Sequence, residues 1–297
     1  MEESNKNWHD KYYKLLFLIP VVLLIFSVVY MFNFYSVNGD FIHKDIYLTG
    51  GTSVTIHANI NPNDLEQALS ERLDDINTRQ IYDLITQEQK AVIIETKTGA
   101  DETKKILEEY LGYELNNENS SFEFTGSSLS ESFYKQLLIA ILIAFVFMAI
   151  VVFIIFRTIV PSSAVIISAF ADILMTLVLV NILGIKLSSA GIVAFLMLIG
   201  YSVDTDILLT TRILKKHYEG SINQKLFGAL KTGLTMTLTS LFAVIFALIV
   251  VKSFSIALAQ IFTILAIGLS FDLINTWITN VSILKWYVKR KERKNEA

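Results

Sequence analysis

The sequence predicts a membrane all-α bundle of six helices, with an α+β domain inserted between the first and second helices. Hydrophobic residues make up 53% of the 297 residues and charged residues only 18%, whereas soluble domains carry about 25% charge. The apolar runs lie at the N-terminus and in the second half, while residues 35–136 have the composition of a soluble domain. The chain contains no cysteine, which excludes thiolate catalysis, cysteine-bound zinc and a disulfide scaffold.

Six apolar stretches are long enough to cross a bilayer, which takes about 20 residues of helix. They are, in chain order, residues 15–34, 137–156, 160–185, 188–209, 232–251 and 256 to about 284. The sixth stretch exceeds one bilayer thickness, so we expect it to tilt or to emerge as an interfacial helix. The spans divide the chain into a leading segment, a first helix, an inserted domain, a five-helix region and a basic tail: 1–14, 15–34, 35–136, 137–284 and 285–297.

The first span is interpreted as a retained anchor. Its apolar run is longer than the hydrophobic region of a signal peptide, and no small-x-small cleavage site follows Phe34. The alternative is a cleaved signal peptide.

The distribution of lysine and arginine orients the spans, because basic residues favour the cytoplasmic side of a membrane. With the N-terminus inside, the cytoplasmic segments hold 15 basic residues, whereas the two short loops on the other side hold only Lys186 and Lys252. An even number of spans then places both termini in the cytoplasm of a multi-pass cell-membrane protein, and residues 35–136 on the extracytoplasmic side.

The inserted domain reads as strand, helix, strand, strand, helix, strand. Extended segments are predicted at 45–48 and 53–59, with Gly50 and Gly51 as a bend or bulge between them, and a hairpin at 81–86 and 91–96. Helices are predicted at 62–73, capped by Asn61, and at 100–111, ended by Gly112. Residues 121–125 read as a last short strand. This order matches the split βαβ, or ferredoxin-like, sandwich.

The surface of the inserted domain is strongly acidic, with 18 acidic and 8 basic residues between 35 and 136. This charge is interpreted as a solvated surface. A sheet edge in such a domain could accept an extended peptide by strand addition, or could be shielded by charge and unused. His43 and His57 are isolated in the sequence, so the domain contains no predicted catalytic group.

Two carboxylates in the fourth span carry the strongest chemical signal. Asp204 and Asp206 lie in an otherwise apolar stretch, where a charge costs about 2.5–3.5 kcal/mol. Two residues correspond to about 200° around a helix, so they cannot share a face. Asp204 lies deeper, roughly 12 Å from Arg212 at the inner boundary, and is interpreted as an interior group that moves an ion. Structural hydrogen bonding is the alternative. Asp206 is a further ion-coupling candidate, which could instead bond to a neighbouring helix or lie near the cytoplasmic headgroups.

Other polar residues in the membrane are candidates for the same ion pathway. Asp172 lies near the middle of the third span and Asp272 in the second half of the sixth. A threonine stripe on the fifth span could line a water path or act as packing glue, and small residues on the fourth span would let helices approach Asp204. The supporting set is Gly200, Ser202, Lys231 as a possible cationic partner, Thr232, Thr235 and Thr239.

Four motifs resemble those of SecF subunits of the SecDF protein-export complex, within the resistance-nodulation-division superfamily. They are LTGGT at 48–52, AD-x-L-x-T at 171–176, GYSV at 200–203 followed by acids and Arg212, and SINQ at 221–224 before a threonine-rich span. The architecture of one span, a ferredoxin-like domain and five further spans is similar to that family over essentially the whole chain. Asp204-Thr205-Asp206 in place of Asn-Asp is more similar to SecD or archaeal SecF.

The resemblance implies a non-enzymatic subunit without a cofactor or metal, which pairs with SecD beside the Sec translocation channel. It would promote polypeptide export with the transmembrane ion gradient, and its partners would be SecD, the channel, the exported polypeptide and the bilayer, without nucleic acid. The arginine of the bacterial fifth span falls at about Gly228 here, so its role is either absent or passed to Lys231. Asp272 stands where the family has a small polar motif.

Two alternatives belong to other functional classes. The first is half of a small-molecule or lipid exporter of the same superfamily, which usually has two six-span halves. The second is an intramembrane aspartyl protease, because Asp172 and Asp204 lie on adjacent spans at membrane depth. That family expects Gly-x-Gly-Asp and Tyr-Asp motifs, which this sequence lacks.

Overall fold

The computed structural model describes residues 8–83, 86, 88–214 and 222–296. Long helices dominate it: α1 (Trp8–Asn38), α5 (Ser127–Phe156), α6 (Ile159–Ile182), α7 (Ser189–Leu214), α8 (Ile222–Val251), and α9 (Ile256–Ile274) continued by a π-helical segment (Asn275–Asn280) and α10 (Val281–Glu296). The shorter elements are α2 (Ile46–Thr49), β1 (Gly51–Ile56), α3 (Pro62–Leu69), β2 (Asn77–Tyr82), β3 (Gln89–Thr96), α4 (Ala100–Leu111) and β4 (Ser120–Thr125). Some residues used in the sequence predictions lie outside the described part: Lys6, Leu84 and Ile85 of the predicted hairpin, Lys215, Lys216 and Ser221.

The six predicted spans are confirmed as six helices that are long and apolar enough to cross a membrane. They differ in their packing. In the most apolar part of α6 and of α7, 56% of residues are buried inside the protein, against 6% in α5 and 11% in α8. The bundle therefore has an inner layer made by α6, α7 and the α9–α10 helix, and an outer layer whose apolar side chains face lipid or another protein.

The last span is longer than the sequence argument allowed. Its helix continues without a break through the π-helical segment into α10, and it remains apolar enough to span as far as Lys291. Lys285, the first residue of the predicted basic tail, is only 1% exposed. The helix therefore carries this residue into the bundle.

Residues 39–126, which we call the sheet domain, contain one antiparallel sheet of order β2-β3-β1-β4. Val54 of β1 pairs with Ile94 of β3 on one side and with Phe122 of β4 on the other. One face of the sheet is covered by α3 and α4, since Leu65 and Leu107 share a core with the alternate apolar residues of the central strands. The opposite face points towards the ends of the membrane helices.

The element bounds agree with the sequence predictions for α4 and differ elsewhere. Residues 46–49 form a short helix, not a strand, because the Asp45 carboxylate accepts a hydrogen bond from the Ile46 amide at 2.6 Å and caps the turn. The first hairpin strand runs Asn77–Tyr82 and so begins four residues earlier than predicted. The first long helix of the domain ends at Leu69 rather than at residue 73.

The Gly50-Gly51 pair joins the sheet to the second span. Gly50 has φ +85° and Gly51 has φ +151°, a region that side chains disfavour. A Cβ on Gly50 would lie 2.5 Å from the Ser127 Cα, and one on Gly51 would collide with the Thr96 carbonyl oxygen. Both positions therefore require glycine where β1, β3 and the start of α5 meet.

The sheet domain is fastened to the membrane helices at both of the short loops that we predicted on its side. The Asp45 amide donates to the Leu187 carbonyl at 2.9 Å, next to an ion pair of Lys186 with Asp75 at 2.7 Å. The Tyr82 amide donates to the Ser253 carbonyl at 3.2 Å. The loops before α7 and before α9 therefore lie at the same end of the bundle as the sheet.

Buried carboxylates lie in this joint. Burial raises the pKa of Asp45, against the opposing effect of Arg79, and burial together with Asp45 raises the pKa of Glu95. Burial also acts on Asp75, but hydrogen bonds from Lys186 and Lys97 outweigh it and lower the pKa of Asp75. The joint therefore combines three carboxylates with the cations Arg79, Lys97 and Lys186.

Candidate functional site

Asp172 of α6 lies at the centre of a polar cluster inside the bundle. Its carboxylate is 0% exposed and accepts two hydrogen bonds from two other helices. The Ser202 hydroxyl of α7 donates to Oδ2 at 2.5 Å, and the Asn275 amide of the π-helical segment donates to Oδ1 at 2.7 Å. Three helices therefore meet at one carboxylate.

Two more carboxylates extend the cluster. Asp206 of α7 is 0% exposed and accepts a hydrogen bond from the Asn280 amide at 2.7 Å. Asp272 of α9 is 0% exposed and accepts one from the Thr276 hydroxyl at 3.1 Å. The expectation that Asp206 bonds to a neighbouring helix is confirmed. We call Asp172, Asp206, Asp272, Ser202, Asn275, Thr276 and Asn280 the interior cluster.

The π-helical segment, Asn275–Asn280, supplies the amide donors. A π-turn adds one residue per turn, and such turns occur frequently at functional sites. Asn275, at the start of this segment, donates to Asp172, and Asn280, at its end, donates to Asp206. The segment therefore contacts carboxylates on two other helices.

Part of the interior cluster has unused hydrogen-bonding capacity. Oδ2 of Asp206 and Oδ2 of Asp272 are buried and have no hydrogen-bond partner among the described residues. The three carboxylates are near enough to interact electrostatically, yet no group of three acidic or histidine residues within the described ranges has the arrangement of a metal site. The cluster thus combines three buried carboxylates with two oxygens that accept no hydrogen bond from the described residues.

Asp204 does not belong to this cluster. Its side chain is exposed on the surface of the single chain, whereas Asp206, two residues later, is fully buried. The predicted separation of about 200° between them is confirmed, but the choice of which one faces inward was wrong. The packing of α6 and the last span against α7 selects the face that carries Ser202 and Asp206.

Asp204 lines a groove between α7 and α8 with a volume of about 450 Å³. Across its walls, the Tyr201 hydroxyl and the Ser240 hydroxyl lie 3.1 Å apart. The groove also contains Thr235 and Thr239. We call this feature the α7–α8 groove. An exposed stripe on α7 continues it along the helix through Val193 and Met197, which are 40% and 46% exposed.

The threonine stripe on α8 is bonded within its own helix. Thr232, Thr235 and Thr239 each donate to the backbone carbonyl four residues before, at 3.2, 2.7 and 2.6 Å. Among the described residues, none of these three bonds crosses to another helix. Of the three, Thr235 and Thr239 lie at the groove next to Asp204.

The cations near this helix are also arranged differently from the expectation. Lys231 is exposed, and it makes no ion pair with a carboxylate in the described part of the chain. The guanidinium of Arg212 on α7 instead donates to the carbonyl of Gly228 on α8. A cation thus does lie beside Gly228, the position where the family arginine was expected, but α7 supplies it.

The small residue Gly200 does not mediate close packing in the chain. A Cβ added to it would have nothing within 4 Å, so the expected approach of a neighbouring helix at Gly200 is wrong. The close approaches occur at Gly191, Gly233 and Gly268, where an added Cβ would collide with the side chain of a neighbouring residue. Gly200 is exposed, on the same side of α7 as Asp204.

Sequence reasoning missed Asn275 and Asn280. Both are 0% exposed, and both lie in the run NTWITN inside the last span. Four polar residues at positions 275, 276, 279 and 280 in an apolar helix form a stripe on one face. That stripe was the available signal, and Asp272 nearby would have strengthened it.

Comparisons with known proteins agree with this architecture. The family described as Protein export membrane protein SecD/SecF, C-terminal, matches residues 104–290. A protein named Protein-export membrane protein SecF from Methanocaldococcus jannaschii is 42% identical over 94% of this chain and 96% of its own length. One of the same name from Pyrococcus furiosus is 33% identical over 95% of this chain and 93% of its own.

A solved structure shows the same fold. The crystal structure of SecDF, a translocon-associated membrane protein from Thermus thermophilus, superposes with a TM-score of 0.72 at 20% identity. The match covers 93% of this chain, which spans 38% of the SecDF chain. With the family match over more than half of the sequence and the archaeal relatives that align along nearly all of it, these findings establish that the chain belongs to the SecF family of protein-export membrane proteins.

Proposed function

We propose that the chain acts with SecD to promote polypeptide export beside the Sec channel, and that the interior cluster couples this work to the transmembrane ion gradient. The observation that carries the proposal is the convergence of α6, α7 and the last span on three buried carboxylates. Charged residues persist at membrane depth mainly where they serve transport or coupling. Such a cluster can change the packing of three helices when one of its members gains or loses a proton.

The unused oxygens of Asp206 and Asp272 support this role. Each can accept a proton or a water hydrogen without losing an existing hydrogen bond, because each carboxylate already uses its other oxygen. Moving one elementary charge through 100 mV releases about 2.3 kcal/mol. That energy is large enough to bias a helix rearrangement between two states.

We propose that Asp204 belongs to the interface with SecD. The exposed stripe on α7 and the α7–α8 groove lie side by side, and they place a carboxylate, a tyrosine and threonines on an otherwise apolar surface. A charge that faces lipid is costly, so a protein partner is the environment that fits Asp204. A second ion-carrying position could be completed there by residues of SecD.

We propose that both termini are cytoplasmic and that residues 35–136 are extracytoplasmic. The excess of basic residues on the side away from the sheet supports this orientation. The strand order β2-β3-β1-β4 with two helices on one face supports a ferredoxin-like domain. In this domain β4 is the edge open to an extended polypeptide, with Phe124 61% exposed, whereas β2 is tied to the loop at Ser253.

The geometry gives less support to the two alternative functions. A protease would need Asp172 and Asp204 at one catalytic point, but Asp172 is bonded to Ser202 and Asn275 while Asp204 lines a separate groove. A small-molecule exporter would share the fold of this superfamily. Co-purification with SecD and the channel distinguishes export of polypeptides from transport of a small molecule.

The direct test is the substitution Asp172→Asn. The oxygen of the new amide can still accept from Asn275, and the Ser202 hydroxyl can turn to accept from its nitrogen, so the fold should be retained while the ionisable group is lost. We expect the variant to bind SecD as the wild type does and to lose the gradient-dependent stimulation of export. The assay is precursor uptake into SecD-containing membranes, with and without an uncoupler.

The control is an export assay of the wild-type chain with the uncoupler present. It should reproduce the level of the variant, because both remove the same step. If Asp172→Asn stimulates export fully and remains sensitive to the uncoupler, the interior cluster is not the coupling site.

A further inference from the structure

A cavity of about 480 Å³ lies between the sheet domain and the membrane helices. Its walls come from β2, from the loop before α7, from the loop before α9 and from the first turns of α9. It therefore lies at the membrane boundary on the sheet side of the bundle. The export mechanism proposed above does not use it.

The charges that line this cavity are all positive. Arg79, Lys186 and Lys252 lie in its wall, and no aspartate or glutamate of the described residues does. Only Arg79 belongs to the sheet domain, in which acidic residues outnumber basic ones by 18 to 8 between residues 35 and 136. Both lysines come from the loops between membrane helices. An anion in the cavity would meet three cations, two of which are paired with carboxylates that do not line the cavity.

One of these cations is available for a ligand. Arg79 is paired with Glu95 at 3.0 Å, and Lys186 is paired with Asp75 at 2.7 Å. The Lys252 side chain is exposed and forms no ion pair with any residue that the structure describes. Each paired cation retains further N–H donors, because a carboxylate occupies only part of an ammonium or guanidinium group.

The wall that α9 contributes to the cavity is mainly apolar. Ile256, Ala259 and Thr263 of α9 lie on one face at intervals of three and four residues. They extend about 10 Å along the helix axis, from the level of Lys252 into the span. Cations at the top and a mainly apolar groove below match an amphiphile with a negative headgroup, whereas a small soluble anion would use the upper part alone.

We propose that this cavity binds the phosphodiester headgroup of an anionic membrane lipid, with one lipid chain lying along α9. The headgroup would contact Lys252 together with Lys186 and Arg79, so the lipid would connect β2 of the sheet domain with both loops. It would add a further link to the joint that the Tyr82–Ser253 and Lys186–Asp75 contacts already form. The inference does not depend on the export mechanism.

The test measures lipid binding to the purified, delipidated chain by native mass spectrometry and by the shift of the unfolding temperature. The probes are phosphatidylglycerol, phosphatidylcholine and inorganic phosphate. We expect phosphatidylglycerol to bind and to stabilise the chain, and the other two to do so at least tenfold more weakly. Lys252→Gln should weaken phosphatidylglycerol binding about fivefold.

Two further variants separate the parts of the site. Ala259→Trp fills the groove along α9 that would hold the lipid chain and does not change the charge, so it should abolish lipid binding. Ala259→Leu should have the same effect with a smaller side chain. Lys105→Gln is the matched control, because Lys105 is an exposed lysine of α4 on the far side of the domain's core, and it should leave lipid binding unchanged. Without lipid, the Lys252→Gln and Lys105→Gln variants should unfold at the wild-type temperature.

Three results would overturn the proposal. Phosphatidylglycerol binding that Lys252→Gln leaves unchanged would remove the headgroup contact. Equal binding of phosphatidylcholine would remove the selectivity for a net negative charge. Binding of inorganic phosphate as strong as that of the lipid, unaffected by Ala259→Trp, would mean a site for a soluble anion.

Discussion

The two faces of α7 each carry a hydroxyl and a carboxylate, but one face is buried in the bundle and the other is exposed. On one face Ser202 and Asp206 are buried and bonded to α6 and to the last span. On the other face Tyr201 and Asp204 border an open groove. On the first face Ser202 and Asp206 are hydrogen-bonded to other helices, whereas on the second face Tyr201 is bonded to Ser240 and the Asp204 carboxylate is exposed. We propose that this one transmembrane helix contributes both to an internal ion site and to a subunit interface.

The largest difference between the faces should appear when a carboxylate is removed. Asp172→Ala leaves the Ser202 hydroxyl and the Asn275 amide without their acceptor, at a cost of about 2–4 kcal/mol for two buried donors. Asp204→Ala removes no bond within the chain, so its effect should stay below about 0.5 kcal/mol. Unfolding of the isolated chain in detergent measures both values.

Asp172→Asn is the matched control for that comparison. It keeps an acceptor for Asn275 and should recover most of the stability lost in Asp172→Ala. Equal destabilisation by Asp172→Ala and Asp204→Ala would contradict the division between an internal and an external face.

A second difference should appear at two glycines of α7. A Cβ on Gly191 would lie 2.6 Å from Oε1 of Gln260, whereas a Cβ on Gly200 meets nothing within 4 Å. Gly191→Ala should therefore destabilise the isolated chain by about 1–3 kcal/mol through overpacking. Gly200→Ala should change the stability by less than about 0.5 kcal/mol, and unfolding temperatures are sufficient to compare them.

A larger side chain at Gly200 extends the same comparison to the complex. Gly200→Leu should leave the isolated chain folded and reduce co-purification with SecD, because the exposed face must accommodate a partner. Normal recovery of SecD with Gly200→Leu would indicate that this part of α7 faces lipid.

The smallest expected effect concerns a buried carboxylate outside the membrane. Because burial raises the pKa of Asp45 above its ordinary value of 3.8, the folded chain binds this proton more tightly than the unfolded chain. The stabilisation from Asp45 is therefore complete at pH values below 3.8 and is lost as the pH rises through the raised value. Asp45→Asn keeps the cap on Ile46 and removes this dependence.

The measurement is the unfolding free energy of the wild type and of Asp45→Asn across the acidic pH range. The wild type should lose more stability than the variant as the pH rises, since Asp45 also raises the pKa of Glu95. Asp75 contributes with the opposite sign in both proteins, because Lys186 and Lys97 lower its pKa. Parallel curves would show that Asp45 is ionised in the folded chain as readily as in the unfolded one.

The elements that the sequence predicted well are those set by local rules. The six spans follow from the length of apolar runs, and α4 follows from its periodicity and from Gly112, which adopts φ +76° at the helix end. The short helix at Ile46–Thr49 was missed because four residues give no periodicity. Its one local signal was Asp45, whose capping bond is visible only in the structure.

The sequence predicted which membrane carboxylates are candidates for the site, but not which of them meet inside the bundle. The spacing of Asp204 and Asp206 fixed their separation around α7, but the apolar residues of this helix surround it on all sides and do not mark an inward face. Which carboxylate became buried was decided by the packing of α6 and α9 on α7. The polar stripe at residues 275, 276, 279 and 280 indicates a polar face of the last span, but it does not reveal the π-helical segment, because the same spacing fits an ordinary α-helix.

The division between the faces of α7 is tested most directly by photo-crosslinking in the assembled complex. A benzophenone amino acid replaces Met236, which lines the α7–α8 groove, or Phe147, which is 64% exposed on α5. We expect crosslinks to SecD from position 236 and none from position 147, with Asp172→Asn giving the same pattern because the interior cluster lies within the chain. Crosslinks from position 147 alone, or a pattern that changes with Asp172→Asn, would contradict the account.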